Sequence, residues 1–395
     1  MLDTFGRPRG ARSAGLMGTV CVGLALLGGC VFMPTKTEVA PAPVAVARAP
    51  DPNAPRLEPL ETRHLALAAP SQELIGETQV LFSHYEDTFS AIGRQYNLGY
   101  EELRQANPKV DQWLPGEATP VYLPTQTVLP EAPREGIVIN IPAMRLFYFT
   151  TEKSAADPAV KVTKVTTHPI GIGSEGWATP TGEATVTGKA RDPVWFVPAS
   201  IRKEHAARGD PLPSKVPPGP DNPLGKFVMT LSIPGYLIHG TNKPAGVGMR
   251  SSHGCVRLYP EDVEALFGRV AKGTHVRFVN QPVLAGWRDG VLYLEVHPPL
   301  AEESRDLGVE AQHALAAALK RAGSSVPVEI DEAAVQQIVA EQRGIPFPVL
   351  RGSRTPEQYL AAARIVENTV PVEQTASTAE VDRAAASSSV APKTP

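Results

Sequence analysis

Cysteine is scarce in this sequence, with 3 residues among 395, and net charge of either sign is nearly absent. There are 38 Lys and Arg residues and 41 Asp and Glu residues, which gives a formal charge of −3. A nucleic-acid-binding protein would need a strong basic excess, so this charge argues against that class for the chain as a whole. The apolar stretch near the start, Ala14–Leu27, is shorter than the ~20 residues of a membrane-spanning helix. Proline, by contrast, is abundant at 40 residues. A hydrophobic content of 42% is enough to form buried cores. The length predicts roughly two to three domains, and the proline content indicates that they are joined by proline-rich segments.

The first residues have the order of a secretory signal: Arg7, Arg9 and Arg12, then the apolar stretch, then Gly28-Gly29-Cys30. The cysteine at the end resembles the lipobox of bacterial lipoproteins, which implies cleavage of residues 1–29 and lipidation of Cys30. By the same resemblance, Val31 predicts sorting to the outer membrane, so we expect a periplasmic protein that is lipid-anchored there. The alternative is an ordinary signal peptide with a chance cysteine.

If Cys21 is removed with the signal and Cys30 carries lipid, Cys255 is the only thiol that remains. An internal disulfide is then excluded. A lone thiol in an oxidising compartment can be oxidised or cross-linked, so its presence requires either burial or a chemical role. This reasoning alone directs attention to Cys255.

The segment 30–75 is rich in Pro and Ala, and we interpret it as an extended tether. Residues 76–124 follow as a predicted strand, helix, helix and strand, with Asp87 as the cap of the first helix. This βααβ pattern, with Asp87-Thr88-Phe89 opening the first helix, resembles a lysin-motif domain, a family that binds the N-acetylglucosamine-containing glycan of the cell wall. Glu86 stands where that family usually has Gly. Glycan binding and a purely structural supporting role both stay open.

Short predicted strands with frequent turn signals fill residues 135–280 and favour a mainly β domain, an antiparallel sandwich or barrel. One helix, 260–269, interrupts it shortly after Cys255. Beyond about residue 300 the chain is predicted to be helical, with amphipathic helices at 309–321 and 332–343. The segment 351–395 is predicted to hold a helix at 356–367 and then a disordered tail.

His239 and Cys255 are the candidates for chemistry. A neighbouring imidazole takes the proton of a thiol or pairs with the thiolate, and such settings lower a thiol pKa from about 8.5 to roughly 3.5–7.5. Gly254 lets backbone approach a substrate, and adjacent N–H groups there can form an oxyanion hole. Two other interpretations are a zinc site, for which His239, His253 and Cys255 lack a fourth ligand, and a buried structural cysteine.

Two motifs carry a specific resemblance: His239-Gly240-Thr241-Asn242, and Ser252-His253-Gly254-Cys255-Val256-Arg257-Leu258. With Gly171-Ile172-Gly173, 179–182 and 219–225, they resemble the L,D-transpeptidases with a YkuD-type catalytic domain. The similarity covers roughly residues 76–350, with 281–350 as a transpeptidase-associated region. It is closest to the Gram-negative periplasmic branch that joins an outer-membrane lipoprotein to peptidoglycan. Arg257, where the wider family commonly has Asn, and the twelve residues between His239 and Ser252 both agree with that branch.

The resemblance implies roles for individual residues. Cys255 is the expected nucleophile and His239 the general base and acid, oriented by the carbonyl of Gly240. The supporting and substrate-binding assignments are Ser252, His253 and Gly254 for the loop around the thiol, Arg257 and Arg250 for a stem-peptide carboxylate, and Trp195 for the substrate channel. The expected reaction joins a peptidoglycan tetrapeptide stem, through a thioester, to a lipoprotein lysine or to another diaminopimelate, with no cofactor and no metal. A hydrolytic amidase and a non-catalytic wall-tethering lipoprotein are the alternatives.

Overall fold

The computed structural model describes residues 49–69, 71–154, 157, 159–323 and 328–371. The predicted signal peptide, Cys30, the tether up to residue 48 and the tail beyond residue 371 lie outside the described residues. No helix in the described part of the chain is both long and apolar enough to cross a membrane.

The strands are β1 (His64–Ala66), β2 (Leu74–Ile75), β3 (Gln79–Phe82), β4 (Pro120–Leu123), β5 (Thr127–Val128), β6 (Gly136–Asn140), β7 (Arg145–Lys153), β8 (Lys161–Pro169), β9 (Ile172–Gly173), β10 (Gly182–Arg191), β11 (Trp195–Phe196), β12 (Lys215–Val216), β13 (Phe227–Leu231), β14 (Leu237–His239), β15 (Arg250–Ser252), β16 (Val256–Arg257), β17 (His275–Val279), β18 (Val283–Arg288), β19 (Val291–Val296), β20 (Phe347–Pro348) and β21 (Arg364–Ile365). The helices are α1 (Phe89–Tyr96), α2 (Tyr100–Ala106), α3 (Ala199–Ala207), α4 (Pro260–Arg269), α5 (Leu307–Ala322), α6 (Glu332–Glu341) and α7 (Pro356–Ala361).

A nine-stranded sheet in the order β1-β8-β7-β6-β17-β10-β13-β14-β16 is the framework of the molecule. Most neighbours are antiparallel, but β6 pairs with β17 in parallel and β14 pairs with β16 in parallel. The expected antiparallel sheet is therefore wrong in part, because each parallel pair is closed by a crossover connection instead of a hairpin. Within the described residues β1 and β16 are the two edges, so the sheet is open and is not the closed barrel that was one of the two expected architectures.

Side-chain alternation buries both faces of this sheet. Ile137 and Ile139 of β6 belong to a hydrophobic cluster that also contains Leu266 of α4. Val138, between them, belongs to a second cluster on the opposite face. The helix after Cys255, predicted at 260–269, has these bounds in the structure, with Pro260 in its first turn.

The segment that precedes residue 75 is part of the folded body. Leu57 bridges to Val366, β1 pairs with β8 at the sheet edge, and β2 pairs with β5. The expected tether is therefore wrong from Leu57 onward. The reason is apolar burial, since Leu67 and Ile75 complete the second cluster and each such side chain contributes about 1.5–3 kcal/mol.

The βααβ module, residues 76–124, has its strands β3 and β4 paired antiparallel, with α1 and α2 between them in sequence. Its first helix is capped by Thr88, whose hydroxyl accepts a hydrogen bond from the Ala91 N–H, so the expected Asp87 cap is wrong. The Asp87 carboxylate accepts from the His84 N–H and from the Asn368 side-chain amide instead.

The C-terminal region begins with the β-hairpin of β18 and β19, and helices α5 and α6 follow beyond residue 300, where the sequence predicts helices. Strands β18, β19 and β20 form a sheet whose apolar residues share one cluster with those of α5 and α6. The helix expected at 356–367 ends at Ala361, because β21 then pairs in parallel with β3. Val366 and Val370 are buried in the core of the βααβ module. This burial requires an extended chain after α7, so the helix does not continue to residue 367.

Candidate active site

Strands β14 and β16 bring the two candidate residues together. Their parallel register places Ile238 opposite Val256 and His239 opposite Arg257. One step back along the same register, Cys255 lies beside Leu237. Because side chains alternate between the two faces of a sheet, those of Cys255, His239 and Arg257 share one face, with Cys255 and His239 as diagonal neighbours.

The His239 imidazole is buried, with 4% of its surface exposed. Its Nδ1 lies 2.6 Å from the carbonyl oxygen of Gly240, and since a carbonyl only accepts, Nδ1 carries the proton. Burial and the positive charge of Arg257 lower the pKa of His239 to about 3, while the carbonyls of Gly240 and Leu224 act in the opposite direction. At neutral pH the ring is therefore neutral, and Nε2 has a lone pair free to accept a proton.

The Cys255 thiol is half-buried, and its Sγ lies 3.7 Å from the Gly235 carbonyl oxygen. Burial raises the pKa of this thiol, although the Leu237 backbone N–H and the charge of Arg257 act to lower it. The expected lowering of the Cys255 pKa is therefore wrong for this resting state. The physical reason is that a neutral His239 supplies no positive charge to offset the cost of placing a thiolate in a desolvated site.

The backbone before the thiol requires glycine. Gly254 has φ of +99°, and a Cβ at this position would lie 2.9 Å from Cε1 of Tyr236. The Ser252 hydroxyl donates to the Cys255 carbonyl at 2.6 Å and accepts the Gly254 N–H at 3.2 Å. Ser252 thus holds the loop, as expected. Because the Gly254 N–H is engaged, the Cys255 N–H is the amide donor left for an oxyanion hole.

Thr179 also holds this loop, although no role at the site was predicted for it. Its hydroxyl donates to the Gly254 carbonyl at 3.1 Å and accepts the Gly173 N–H at 2.9 Å. The Thr179 hydroxyl thus links Gly173, at the end of β9, to Gly254, the residue before Cys255. The only sequence signal was its place in the motif 179–182, which supported the family resemblance without indicating a contact.

The two candidate arginines differ in their partners. Arg257 donates from Nη1 to the Ser251 hydroxyl at 3.1 Å, and its Nε is buried without a hydrogen-bond partner among the described residues. Arg250 forms a two-pronged ion pair with Glu302, both distances being 2.8 Å, and its Nε donates to the Gly173 carbonyl. Arg250 is already paired with a carboxylate of the chain itself. Arg257 is therefore the remaining candidate for the expected role of binding a substrate carboxylate.

His253, assigned a supporting role in the loop around the thiol, has its partners in other segments of the chain. Its Nε2 lies 3.0 Å from Glu204 of α3, and its ring packs edge-on against Trp177, the centroids being 4.7 Å apart. Within the part of the chain that the structure describes, no group of three or more His, Cys, Asp or Glu side chains is placed to hold a metal ion. Sequence reasoning missed Glu204 and Trp177, because both contacts join segments far apart in the chain.

Trp195, expected in the substrate channel, lies in β11, which pairs with β12 as a separate two-stranded ribbon. The ribbon flanks α3, the helix that carries Glu204. The ribbon and α3 belong to one segment, residues 193–222. The two ends of this segment are held together by Asn222, whose side-chain amide donates to the Pro193 carbonyl at 2.8 Å. The segment that contains Trp195 contacts the thiol region through Glu204, whose carboxylate lies 3.0 Å from Nε2 of His253.

Comparison with known proteins adds an independent finding. The profile of the YkuD family, described as the L,D-transpeptidase catalytic domain, matches residues 134–279. The chain is 36% identical to the probable L,D-transpeptidase YcfS of Escherichia coli strain K12 over 305 residues, 76% of this chain and 92% of that protein. It is 36% identical to the probable L,D-transpeptidase YbiS of the same strain over 286 residues, 71% of this chain and 90% of that protein.

Proposed function

The chain belongs to the L,D-transpeptidase family, and we propose that it forms its product through a thioester on Cys255, with His239 as general base and then general acid. The substrate class that follows from the family is peptidoglycan. The donor in this proposal is a tetrapeptide stem, cleaved between diaminopimelate and the terminal D-Ala. The observation that carries the proposal is the neutral His239 ring, held through Nδ1 by the Gly240 carbonyl, on the same sheet face as Cys255.

The first half-reaction forms the thioester. Nε2 of His239 takes the thiol proton as Sγ attacks the carbonyl carbon of the L-centre of diaminopimelate, and the Cys255 N–H stabilises the resulting oxyanion. The C–N bond to D-Ala then breaks, and the imidazolium returns the proton to the leaving amine. The thiol and the imidazole start neutral, so the proton moves as the C–S bond forms and no stable ion pair is required.

In the second half-reaction an acceptor amine attacks the thioester carbonyl. His239 takes a proton from that amine, the C–S bond breaks, and the proton returns to Sγ as a new amide bond forms. The energy of the cleaved peptide bond is kept in the thioester, so no nucleotide is consumed. The side chain of Cys255 returns to its starting state after each cycle.

Arg257 is the proposed binding residue for a carboxylate of the stem peptide. Arg257 pairs with His239 in the register of β14 and β16, on the face that carries the thiol, and its guanidinium forms no ion pair with any described carboxylate. A substrate carboxylate would provide the missing counter-charge. The same cation also favours a neutral His239, so substrate binding and the protonation state of the base depend on one residue.

The proposal places the protein in the periplasm, anchored to the outer membrane through lipid on Cys30, with an outer-membrane lipoprotein lysine as the acceptor. The signal-like order of residues 1–29 and the resemblance to the lipoprotein-joining branch support this. Binding of the βααβ module to glycan belongs to the same proposal. Another diaminopimelate as acceptor and water as acceptor are outcomes of the test below.

The test is mass analysis of products from the purified protein, incubated with disaccharide-tetrapeptide and a lipoprotein peptide that ends in lysine. We expect release of D-Ala and a muropeptide–peptide conjugate, both lost in Cys255→Ala. Stem dimers without conjugate would make the enzyme a cross-linking transpeptidase. Accumulation of tripeptide alone would overturn transfer in favour of hydrolysis. A cell-envelope phenotype unchanged in Cys255→Ala would overturn catalysis in favour of a wall tether.

A further inference from the structure

The loop 240–252 joins the strand of His239 to the residues before Cys255, and its outer side is covered by the βααβ module. The Glu101 N–H donates to the Gly248 carbonyl at 3.1 Å, and the Tyr100 N–H donates to the Val247 carbonyl at 3.4 Å. These are amides of the first turn of α2, which have no partner within their own helix. The loop between the two candidate catalytic residues therefore completes the hydrogen bonding of a helix in the other module.

The backbones meet at this contact through two glycines. A Cβ on Gly99 would lie 2.8 Å from Cα of Gly248, closer than real Cβ contacts come. Gly99 itself has φ of −87° and ψ of 158°, which any residue adopts. Its lack of a side chain is thus required by the neighbouring loop and not by its own conformation.

Side chains reinforce the contact. Met249 of the loop packs against the core of the βααβ module, and Tyr259, just after the Cys255 motif, donates to the Leu98 carbonyl at 3.2 Å. Glu102 of α2 forms a buried ion pair with Arg145 of β7 at 2.8 Å. The module is consequently held to the sheet on one side and to the loop on the other.

On its inner side the same loop reaches the thiol region. The Ile172 N–H donates to the Met249 carbonyl at 3.1 Å, and the Ser174 N–H donates to the Ser252 carbonyl at 2.9 Å. Gly171 exchanges two backbone hydrogen bonds with Arg257, at 2.8 and 2.9 Å. A displacement of the loop at Gly248 is therefore transmitted to Ser252 and Arg257 through paired backbone.

We propose that the βααβ module is a positioning element of the active site, and that Gly99 is the positioning residue that sets the loop between His239 and Cys255. This inference deepens the proposed function and rests on it. The module would contribute to the reaction through the geometry of the loop, whether or not it also binds glycan. Misplacement of reacting groups by about 1 Å costs on the order of a hundredfold in rate, so small displacements of the loop matter.

The test is Gly99→Ala in the purified full chain, with Gly268→Ala as the matched control. A Cβ on Gly268, in α4, meets nothing within 4 Å, so the control adds the same methyl group without a contact. We expect Gly99→Ala to slow acylation of Cys255 by a carbapenem roughly tenfold to a hundredfold. The control is expected to keep the rate of the unsubstituted protein.

A second variant, Met249→Ala, releases the loop without a backbone clash and is expected to slow acylation in the same direction by a smaller factor. Site-resolved alkylation of Cys255 across pH separates positioning from loss of fold, since a positioning defect shifts the pH profile in protein that still melts cooperatively. If both variants acylate at the unsubstituted rate, or if the rate falls only in proportion to unfolded protein, the inference is overturned. If the unsubstituted protein itself neither acylates nor releases D-Ala, the proposed function has failed instead.

Discussion

His239 donates from Nδ1 to the carbonyl oxygen of Gly240, its own neighbour in the chain, at 2.6 Å. A peptide carbonyl thus orients the imidazole where a carboxylate does so in many catalytic triads. A carbonyl has no full negative charge, so it gives less stabilisation to an imidazolium, and burial keeps the ring neutral at rest. A neutral thiol and a neutral base are the consequence, and the predictions below follow from that pairing and from the groups around it.

Removal of the base should slow acylation more than it alters binding. We expect His239→Gln to reduce the rate of carbapenem acylation of Cys255 by about 10²–10⁴-fold, because the thiol proton loses its acceptor. Intact-mass spectrometry against time measures the adduct, and Cys255→Ala serves as the control without a nucleophile. Absence of an adduct on the unsubstituted protein at high drug excess would contradict a reactive Cys255, and an unchanged rate in His239→Gln would contradict its role as base.

The pH dependence of thiol alkylation should show the raised pKa of Cys255. Iodoacetamide reacts with the thiolate, so a pKa raised by burial predicts slow alkylation at neutral pH and a rate that still rises at pH 9. His239, with a pKa of about 3, stays neutral between pH 5 and 8 and adds no inflection there. Peptide-level mass spectrometry resolves Cys255 from the other cysteines. An inflection below pH 7 would instead indicate a thiolate–imidazolium pair at rest.

Substitutions of Arg257 and Arg250 should differ in their effect on KM for the donor substrate. Arg257→Met is expected to raise KM for the tetrapeptide donor by roughly tenfold to a hundredfold, since a hydrogen bond to a charged group is worth about 1.5–3 kcal/mol. Arg250→Met breaks the ion pair with Glu302, which lies at the surface, and is expected to leave KM nearly unchanged. Initial rates of D-Ala release against substrate concentration measure both. Equal effects of the two substitutions would refute the assignment of the carboxylate to Arg257.

Gly254→Ala should impair both stability and acylation. A φ of +99° is strained for any residue with a Cβ, and the added carbon would also press on Tyr236. The strain costs about 1–3 kcal/mol of folding free energy and displaces the Cys255 N–H. Urea denaturation and the acylation rate measure the two effects, with Gly268→Ala as the control. Full stability with full activity would show that the glycine is not required.

The ion pair between the βααβ module and the sheet should support the fold as a whole. Glu102→Ala leaves the guanidinium of Arg145 buried without its anion, and removal of one partner of a buried pair costs about 3–5 kcal/mol. Arg104→Ala in the same helix removes a pair with Glu101 that is far more exposed, and is expected to cost less than about 1 kcal/mol. Equilibrium unfolding measures both free energies. Similar small losses would mean that the module is held by other contacts.

Local patterns in the sequence predicted much of the site. The motifs around His239 and Cys255 indicated the pair, the role of the Gly240 carbonyl and the loop-holding Ser252, because these contacts join residues close in the chain. The helix at 260–269 was predictable for the same reason, since its Pro260 and its apolar spacing are local signals. The family itself followed from these short motifs, and the comparisons with known proteins support the same family.

Other features were decided only by the tertiary structure, because they depend on partners far apart in the chain. Glu302 neutralises Arg250, while Arg257 has no such counter-charge among the described carboxylates, and nothing in the motifs distinguished the two. The direction of the Cys255 pKa shift depends on burial, which composition does not reveal. Val366 packs into a module formed by residues 76–124, and Gly99 meets Gly248 across a module boundary. The sequence by itself thus determined which residues are the candidates for the chemistry, and long-range packing decided their charge, their partners and the support of the loop between them.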